Sequence, residues 1–311
     1  MNVLVTGGAG FIGSHIVDAL LAQGETVRVL DNFSTGNRSN LDGVDIEVIN
    51  GDICNDKTVR RVLSGITHVI HQAAFVSVPG SIADPLACNE VNVTGTLNVL
   101  TASRDLGVRR VVFASSTAVY GEASGPLRES STLGPLSPYG VSKLAAERYC
   151  AAFTTSYGLE TFALRYFNVF GPRQSPDSDY AAAIPRFISA IITGQPIMIY
   201  GDGEQTRDFV YVQNVAQANV LALTAPRAEG RVFNIGSGSS ISINQLAATL
   251  RQLSARDIDV QYAAPRAGDI RHSRADIAQA LADLGYAPQV DLEAGLSSTL
   301  HWHQEQQYAN P

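Results

Sequence analysis

The chain has 311 residues, 45% of them hydrophobic, enough for one large domain or two small ones and too many for extended disorder. A formal charge of −7 and the lack of any basic run argue against nucleic acid or an anionic membrane as partner. Three scattered cysteines (Cys54, Cys88, Cys150) with no CxxC spacing exclude a disulfide framework and suit a reducing cytoplasm.

The start, MNVLVTGG, has no basic n-region and no cleavage site, so no signal peptide is expected, and no apolar run approaches a membrane span. Residues 2–6, 26–30, 46–49, 68–71, 110–115 and 161–167 read as strands, apolar nearly throughout as buried parallel strands are. Helical patterns over 12–23, 89–107 and 138–157 alternate with them. This rhythm predicts an α/β fold, a Rossmann-type doubly wound parallel sheet. Beyond residue 170 come a loop, a helix near 182–193, strands at 197–201 and 208–212, a helix near 214–226 and a strand from 231. The last 70 residues read as mixed, ending in a polar tail. The expected division is a nucleotide domain over 1–169 and a smaller C-terminal substrate domain over 170–311, with later segments returning to the first.

VLVTGGAGFIGSH is a strand, a glycine turn and a helix start, with Gly7, Gly10 and Gly13 spaced GxxGxxG. Glycine permits the turn and a close approach to pyrophosphate, and the helix start, with Phe11 and Ile12, offers unpaired N–H groups and a positive dipole end. Asp31 closes the second strand eighteen residues beyond Gly13. A carboxylate there binds both adenosine ribose hydroxyls and repels a 2′-phosphate. The next residues, Asn32 and Phe33, are not basic, so NAD is expected rather than NADP. Asp52, beside Ile53, follows the third strand and could meet the adenine. HQAA, with Gln72, Ala73 and Ala74, follows the fourth. Both fall at carboxyl ends of strands, where open α/β sheets bind ligands.

SPYGVSK sets Tyr139 and Lys143 four residues apart, on one face of a helix. A lysine cation at about 4 Å from a phenolate contributes about 4 kcal/mol at an effective dielectric near 20, enough to bring the phenol toward neutrality. The pair is thus suited to taking a hydroxyl proton while hydride leaves the same carbon. Ser116 or Ser115, at the end of the fifth strand, could orient that hydroxyl.

Taken together and in order, TGGAGFIGSH, HQAA, SSTAVYGE, SPYGVSKLAAE, LRYFNVFGPR, YGDGEQTRDFVYV and GDIRHSRADI resemble the extended short-chain dehydrogenase/reductases. Within them they look like UDP-sugar 4-epimerases, over about residues 1 to 290. The resemblance implies Tyr139, Lys143 and Ser116 as the catalytic set. It adds Asn92, Ser115 and Tyr166 to the cofactor contacts, with Asn32, Ile53, Gln72, Ala73, Ala74, Tyr139 and Lys143. It implies substrate contacts from Ser77, Ser116, Tyr139, Phe167, Asn168, Ile199 and Tyr200. Arg207 and Arg266 resemble the pair that grips the UDP pyrophosphate, suited to it by their bidentate geometry. Asp269 stands where the ribose or uracil is held. Val76 stands where many members have a lysine near the cofactor.

Family dehydratases place Asp-Glu, and decarboxylases Ser-Glu, directly after the catalytic hydroxyl residue; here stand Thr117 and Ala118. Epimerisation is therefore the implied outcome. Ser273, where glucose-restricted members carry tyrosine, implies room for an N-acetyl group. UDP-glucuronate epimerisation, dehydration or decarboxylation, and a non-catalytic NAD sensor are the alternatives. No metal is expected, and the resemblance implies a homodimer joined through 89–107 and 138–157.

Overall fold

The computed structural model describes residues 1–122, 125–176, 182–226, 230–265 and 270–309. A seven-stranded, wholly parallel sheet forms its centre, built from β1 (Asn2–Thr6), β2 (Thr26–Asp31), β3 (Glu47–Asn50), β4 (His68–His71), β5 (Arg110–Ser116), β6 (Glu160–Tyr166) and, much later in the chain, β11 (Arg231–Ile235). Their order across the sheet is β11-β6-β5-β4-β1-β2-β3. Strand β1 lies between β2 and β4, so the connections leaving β1 and β4 part to opposite faces. A crevice opens at their carboxyl ends, which is where such sheets bind nucleotides.

Helices α1 (Phe11–Ala22), α2 (Asp56–Val62), α3 (Val78–Ala83), α4 (Pro85–Asn89), α5 (Thr96–Asp105) and α6 (Pro138–Tyr157) belong to this first part. Two cores sandwich the sheet. One joins Val3, Val5, Ile16 and Leu20 to Val215 and Phe233; the other joins Leu4, Val69, Val99 and Phe113 to Ala146 and Phe153.

The second lobe contains β7 (Asn168–Phe170), α7 (Ala183–Thr193), β8 (Ile197–Tyr200), β9 (Thr206–Arg207), β10 (Phe209–Tyr211) and α8 (Val212–Thr224). After β11 it resumes with β12 (Ile241–Ser242), α9 (Ile243–Ser254), β13 (Val260–Ala263), α10 (Ala278–Leu284) and α11 (Leu292–Ala309). Here the strands form three two-stranded pairs over a third core that includes Phe170, Phe187, Ile199 and Leu246. Helix α8 packs against α1, and β11 pairs with β6, so the later chain is woven into the first part.

Two expectations change. The single helix over 89–107 is α4, a π turn (Glu90–Gly95) and α5 in succession, starting at Pro85. Val91, Val93, Thr94 and Gly95 are weak helix formers that leave room for the wider turn. The polar tail is helix α11. Leu296 and Leu300 anchor it on the third core, each burial contributing about 1.5–3 kcal/mol. A stripe of Leu292, Leu296 and Leu300 is too thin to read against eighteen mostly polar positions. Among the described residues no helix is long and apolar enough to cross a membrane.

Candidate active site

The nucleotide turn is shaped by what a side chain would hit. Gly7 has φ +69°, and a Cβ there would fall 2.7 Å from the Ala73 nitrogen. Gly13 packs so closely on Gly7 and Gly8 that a Cβ would overlap their backbone. Gly10 leads into α1 without a side-chain cap, so the first N–H groups of the helix have no capping side chain. Phe11 and Ile12, half-buried, form its first turn. That cradle and dipole suit a pyrophosphate. Asp31 is 7% exposed and accepts from Ala9 N at 2.9 Å and Phe33 N at 2.8 Å, bracing the turn. Beside it a recess opens at the ends of β2 and β3, lined by Phe33 to Arg38 and Asn50. Asn32 donates to Asp52 at 2.9 Å. Burial works to raise the Asp52 pKa, but hydrogen bonds from Cys54 and Asn32 hold it below the usual value. Ile53 is buried against Gly95. These features fit NAD.

At the end of β4, Gln72 N and Ala73 N both donate to Thr6 O at 3.0 Å, laying the HQAA segment beside the glycine turn. Ala74 continues it, half-buried. The Gln72 side chain donates to the Tyr166 hydroxyl at 2.8 Å, and both bond Asn219 on α8. Tyr166 is buried, which pushes its pKa far up. Asn219 was not anticipated; its signal is a lone asparagine within the apolar run ANVLAL.

The Tyr–Lys centre follows from local chemistry. Ser137 caps α6 by accepting from Gly140 N, and Pro138 starts the helix. At Gly140 a Cβ would fall 2.6 Å from Ala118 O, so only glycine lets α6 lie on the turn after β5. That approach sets Tyr139 beside Ser116 at the end of β5. Ser116 accepts from Ala118 N at 3.2 Å. Lys143 is 3% exposed, donates to Ala114 O at 2.9 Å and stands 4.9 Å over the Phe113 ring.

The electrostatics differ from the sequence argument. Burial pushes the Tyr139 pKa up, and the neighbouring Ser116 hydroxyl opposes it. The Lys143 nitrogen is 5.9 Å from the Tyr139 ring centre and turned to Ala114, not to the phenol. Burial lowers its own pKa to about 8. Within the protein alone, Lys143 therefore does not bring the phenol toward neutrality.

Several expected contact residues have their side chains committed inside the protein. The Ser115 hydroxyl donates to Glu147, whose carboxylate also takes two bonds from Arg165 at 2.7 and 2.8 Å. Strand alternation sends Ser115 and Ser116 to opposite sides. Asn92 is 2% exposed and holds both backbone groups of Phe75 together with Ser142. Ser77 caps α3 through Gly80 N. Ile199 is 1% exposed within the third core, and Phe167 is also buried.

The remaining substrate candidates gather at the far side. Asn168 donates through its amide to Asp208 O at 3.0 Å. Tyr200 lies under Arg186, 5.1 Å from ring centre to guanidinium carbon. Arg207, in β9, bonds Thr206 O at 2.8 Å. Ser273 N donates to Thr206 O at 3.1 Å, placing this buried serine beside the Arg207 strand. Arg266 and Asp269 lie outside the described residues. Val76 is exposed. Among the described residues no cluster of His, Cys, Asp or Glu could hold a metal.

The NAD-dependent epimerase/dehydratase family model matches residues 3–236. The UDP-glucose 4-epimerase of Mycolicibacterium smegmatis is 37% identical, over 97% of this chain and 98% of that protein. The solved UDP-N-acetylglucosamine 4-epimerase of Methanobrevibacter ruminantium, in complex with UDP-N-acetylmuramic acid, superposes with a TM-score of 0.94 at 44% identity, covering 98% of each chain. The Thermus thermophilus UDP-glucose 4-epimerase complex with NAD gives 0.90 at 39%, covering 97% of this chain and 98% of that one. With the glycine cradle, the acidic end of β2 and the Tyr–Lys helix, these likenesses extend over nearly the whole molecule, and the chain belongs to the NAD-dependent epimerase/dehydratase family.

Proposed function

We propose that the protein is a UDP-sugar 4-epimerase that interconverts UDP-GlcNAc with UDP-GalNAc and UDP-glucose with UDP-galactose through a 4-keto sugar. The observation that carries this is the placement of Tyr139 beside both Ser116 and Lys143, with Thr117 and Ala118 following Ser116. Ser116 orients the sugar 4-hydroxyl, and Tyr139 takes its proton and later returns it. Lys143 supplies the positive charge that favours the phenolate once substrate excludes water. The glycine turn, Asp31 and the HQAA segment would hold NAD, which would supply the acceptor and donor of the hydride. Elimination or decarboxylation needs a further acid or base, and Thr117 and Ala118 carry none. Between the two transfers the keto sugar turns over, so the hydride returns to the opposite face.

Arg207 is assigned to the diphosphate, and Ser273, small and buried beside it, to the space around the C2 substituent. The test is incubation of the NAD-loaded protein with UDP-glucose, UDP-GlcNAc and UDP-glucuronate, without added NAD, followed by product separation. Conversion of the first two is expected; conversion of none would falsify the assignment. Ser273→Tyr is expected to depress turnover of the acetylated sugars most, and equal loss for both sugar classes would refute a gate at this position.

A homodimer and a cytoplasmic setting belong to the same reading. Val141, Tyr149 and Tyr157 on α6 and Leu86 on α4 are exposed apolar side chains, and Cys54, Cys88 and Cys150 are free thiols. Sedimentation should give twice the chain mass, and Val141→Glu with Tyr149→Glu should give the single mass.

A further inference from the structure

A continuous line of buried side-chain hydrogen bonds runs from the nucleotide turn to Tyr139. It begins at Thr6, the last residue of β1 and the neighbour of Gly7. Thr6 Oγ1 lies 2.7 Å from His71 Nδ1. The other ring nitrogen, Nε2, is 3.0 Å from Thr96 Oγ1. Thr96 donates to the Asn92 carbonyl at 2.6 Å. The Asn92 amide donates to Ser142 Oγ at 2.9 Å, and Ser142 donates to the Tyr139 carbonyl at 2.8 Å. None of these five residues before Tyr139 is more than 3% exposed.

Counting protons fixes the direction of the line. Thr96 has one hydroxyl proton, given to the Asn92 carbonyl, so toward His71 it can only accept. His71 must then carry its proton on Nε2 and offer a lone pair at Nδ1, which takes the Thr6 proton. One neutral tautomer satisfies every member. Burial, with the Lys143 cation in support, lowers the His71 pKa to about 3, so that tautomer persists at neutral pH. The π turn helps build the middle link. Its N–H groups reach five residues back, and the Thr96 hydroxyl covers the Asn92 carbonyl four residues back. Asn92 also clamps Phe75, just beyond the HQAA segment, so the cofactor-side loop is tied into the same line. Tyr139 N donates to Ser81 Oγ at 3.1 Å, so its backbone is held at both ends.

We propose that His71, Thr96, Asn92 and Ser142 are positioning residues whose hydrogen-bond line fixes the first turn of α6, and with it the Tyr139 phenol, relative to the nucleotide turn. The proposal rests on the reading of Tyr139 as the group that takes the sugar proton. Proton and hydride leave one carbon together, so the two sides of the site must keep a fixed spacing. A misplacement of about 1 Å costs about 100-fold in rate.

Three variants of the NAD-loaded protein test this. Thr96→Val removes the hydroxyl and keeps the shape, Thr96→Ser keeps the hydroxyl, and Ser142→Ala cuts the last link while Phe75 still anchors Asn92. For Thr96→Val and Ser142→Ala, kcat should fall about 10- to 100-fold with KM for the UDP-sugar nearly unchanged. Thr96→Ser should recover most of that loss. NAD dissociation, followed in all three without substrate, should quicken about tenfold in Thr96→Val and return toward the parent rate in Thr96→Ser. Equal losses in Thr96→Val and Thr96→Ser, in step with lowered melting temperature, would show a packing role only and overturn the proposal. So would parent-like kcat in Ser142→Ala. Should Thr96→Val fail to fold, Ser142→Ala decides. Should the parent convert no sugar, the functional reading fails by itself, and the NAD dissociation rates still decide this one.

Discussion

Lys143 shows how a functional side chain opposes stability. In the unfolded chain a lysine keeps its proton up to about pH 10.5; in the fold, burial lowers that to about 8. Below pH 8 the native state therefore holds a charge it disfavours, and stability from this group rises as pH climbs from 8 toward 10.5. The displacement corresponds to about 3 kcal/mol, from which the hydrogen bond to Ala114, about 1 kcal/mol, must be subtracted for a variant that lacks it. Lys143→Met is therefore expected to stabilise the NAD-free protein by about 2 kcal/mol at pH 7, with the gain shrinking as pH rises above about 8 in thermal melts. The same variant should lose epimerisation. A stabilisation that does not change with pH would show that buried charge is not its source. The sequence showed that this pair mattered but not how it is tuned. Four-residue spacing puts Tyr139 and Lys143 on one face, yet the direction of the ammonium is set by Ala114 and Phe113, twenty-nine and thirty residues earlier.

At the level of elements, helix α6 was legible from Pro138 to Tyr157 because its start carries Ser137 and Pro138 and its end carries Gly158, in the left-handed conformation. What seats it on the sheet was not legible. Glu147 and Arg165 are 2% and 3% exposed in their side chains, and the pair joins α6 to β6 with Ser115 of β5 completing the carboxylate's bonds. Tyr120 adds a further bond to Arg165 at 2.9 Å and one to Asn234 in β11 at 2.6 Å. Periodicity reports which face is apolar; it does not report which two charges meet across an apolar boundary. Glu147→Ala would leave the Arg165 charge buried without its partner, a loss of about 3–5 kcal/mol. Urea unfolding should show that drop, and a change within about 0.5 kcal/mol, typical of surface sites, would refute the pairing as a main tie of α6. The π turn was illegible for a related reason: Asn92 and Thr96 are polar residues on the buried side of a helix, and only their partners from β4 and α6 explain them.

At the scale of the whole molecule, the chain is less divisible than a boundary near residue 170 implies. Strand β11 crosses back to the edge of the central sheet, and a buried carboxylate is one of the ties between it and the lobe that holds Arg207 and Ser273. Asp208 is fully buried and accepts from Ser237 N and Oγ, both at 2.7 Å, from Gly238 N at 3.1 Å and from Ala275 N at 3.0 Å. Burial raises its pKa, and these bonds oppose the rise. They bring three distant segments to one point: the strand after Arg207, the chain leaving β11, and the chain leaving Ser273. Asp208→Asn turns one acceptor oxygen into a donor facing N–H groups, orphaning them at about 1–3 kcal/mol each. Because the nucleotide turn lies on β1 and α1, away from this knot, the effect should divide cleanly. KM for the UDP-sugar should rise about tenfold or more, as expected for about 1.4 kcal/mol of lost substrate-side order, while NAD retention stays at the parent level. Hydrogen exchange should quicken at Ser237, Gly238 and Ala275 and remain slow at Val5 and Ile16. Simultaneous loss of NAD would mean that Asp208 supports the molecule as a whole rather than the sugar side of its site.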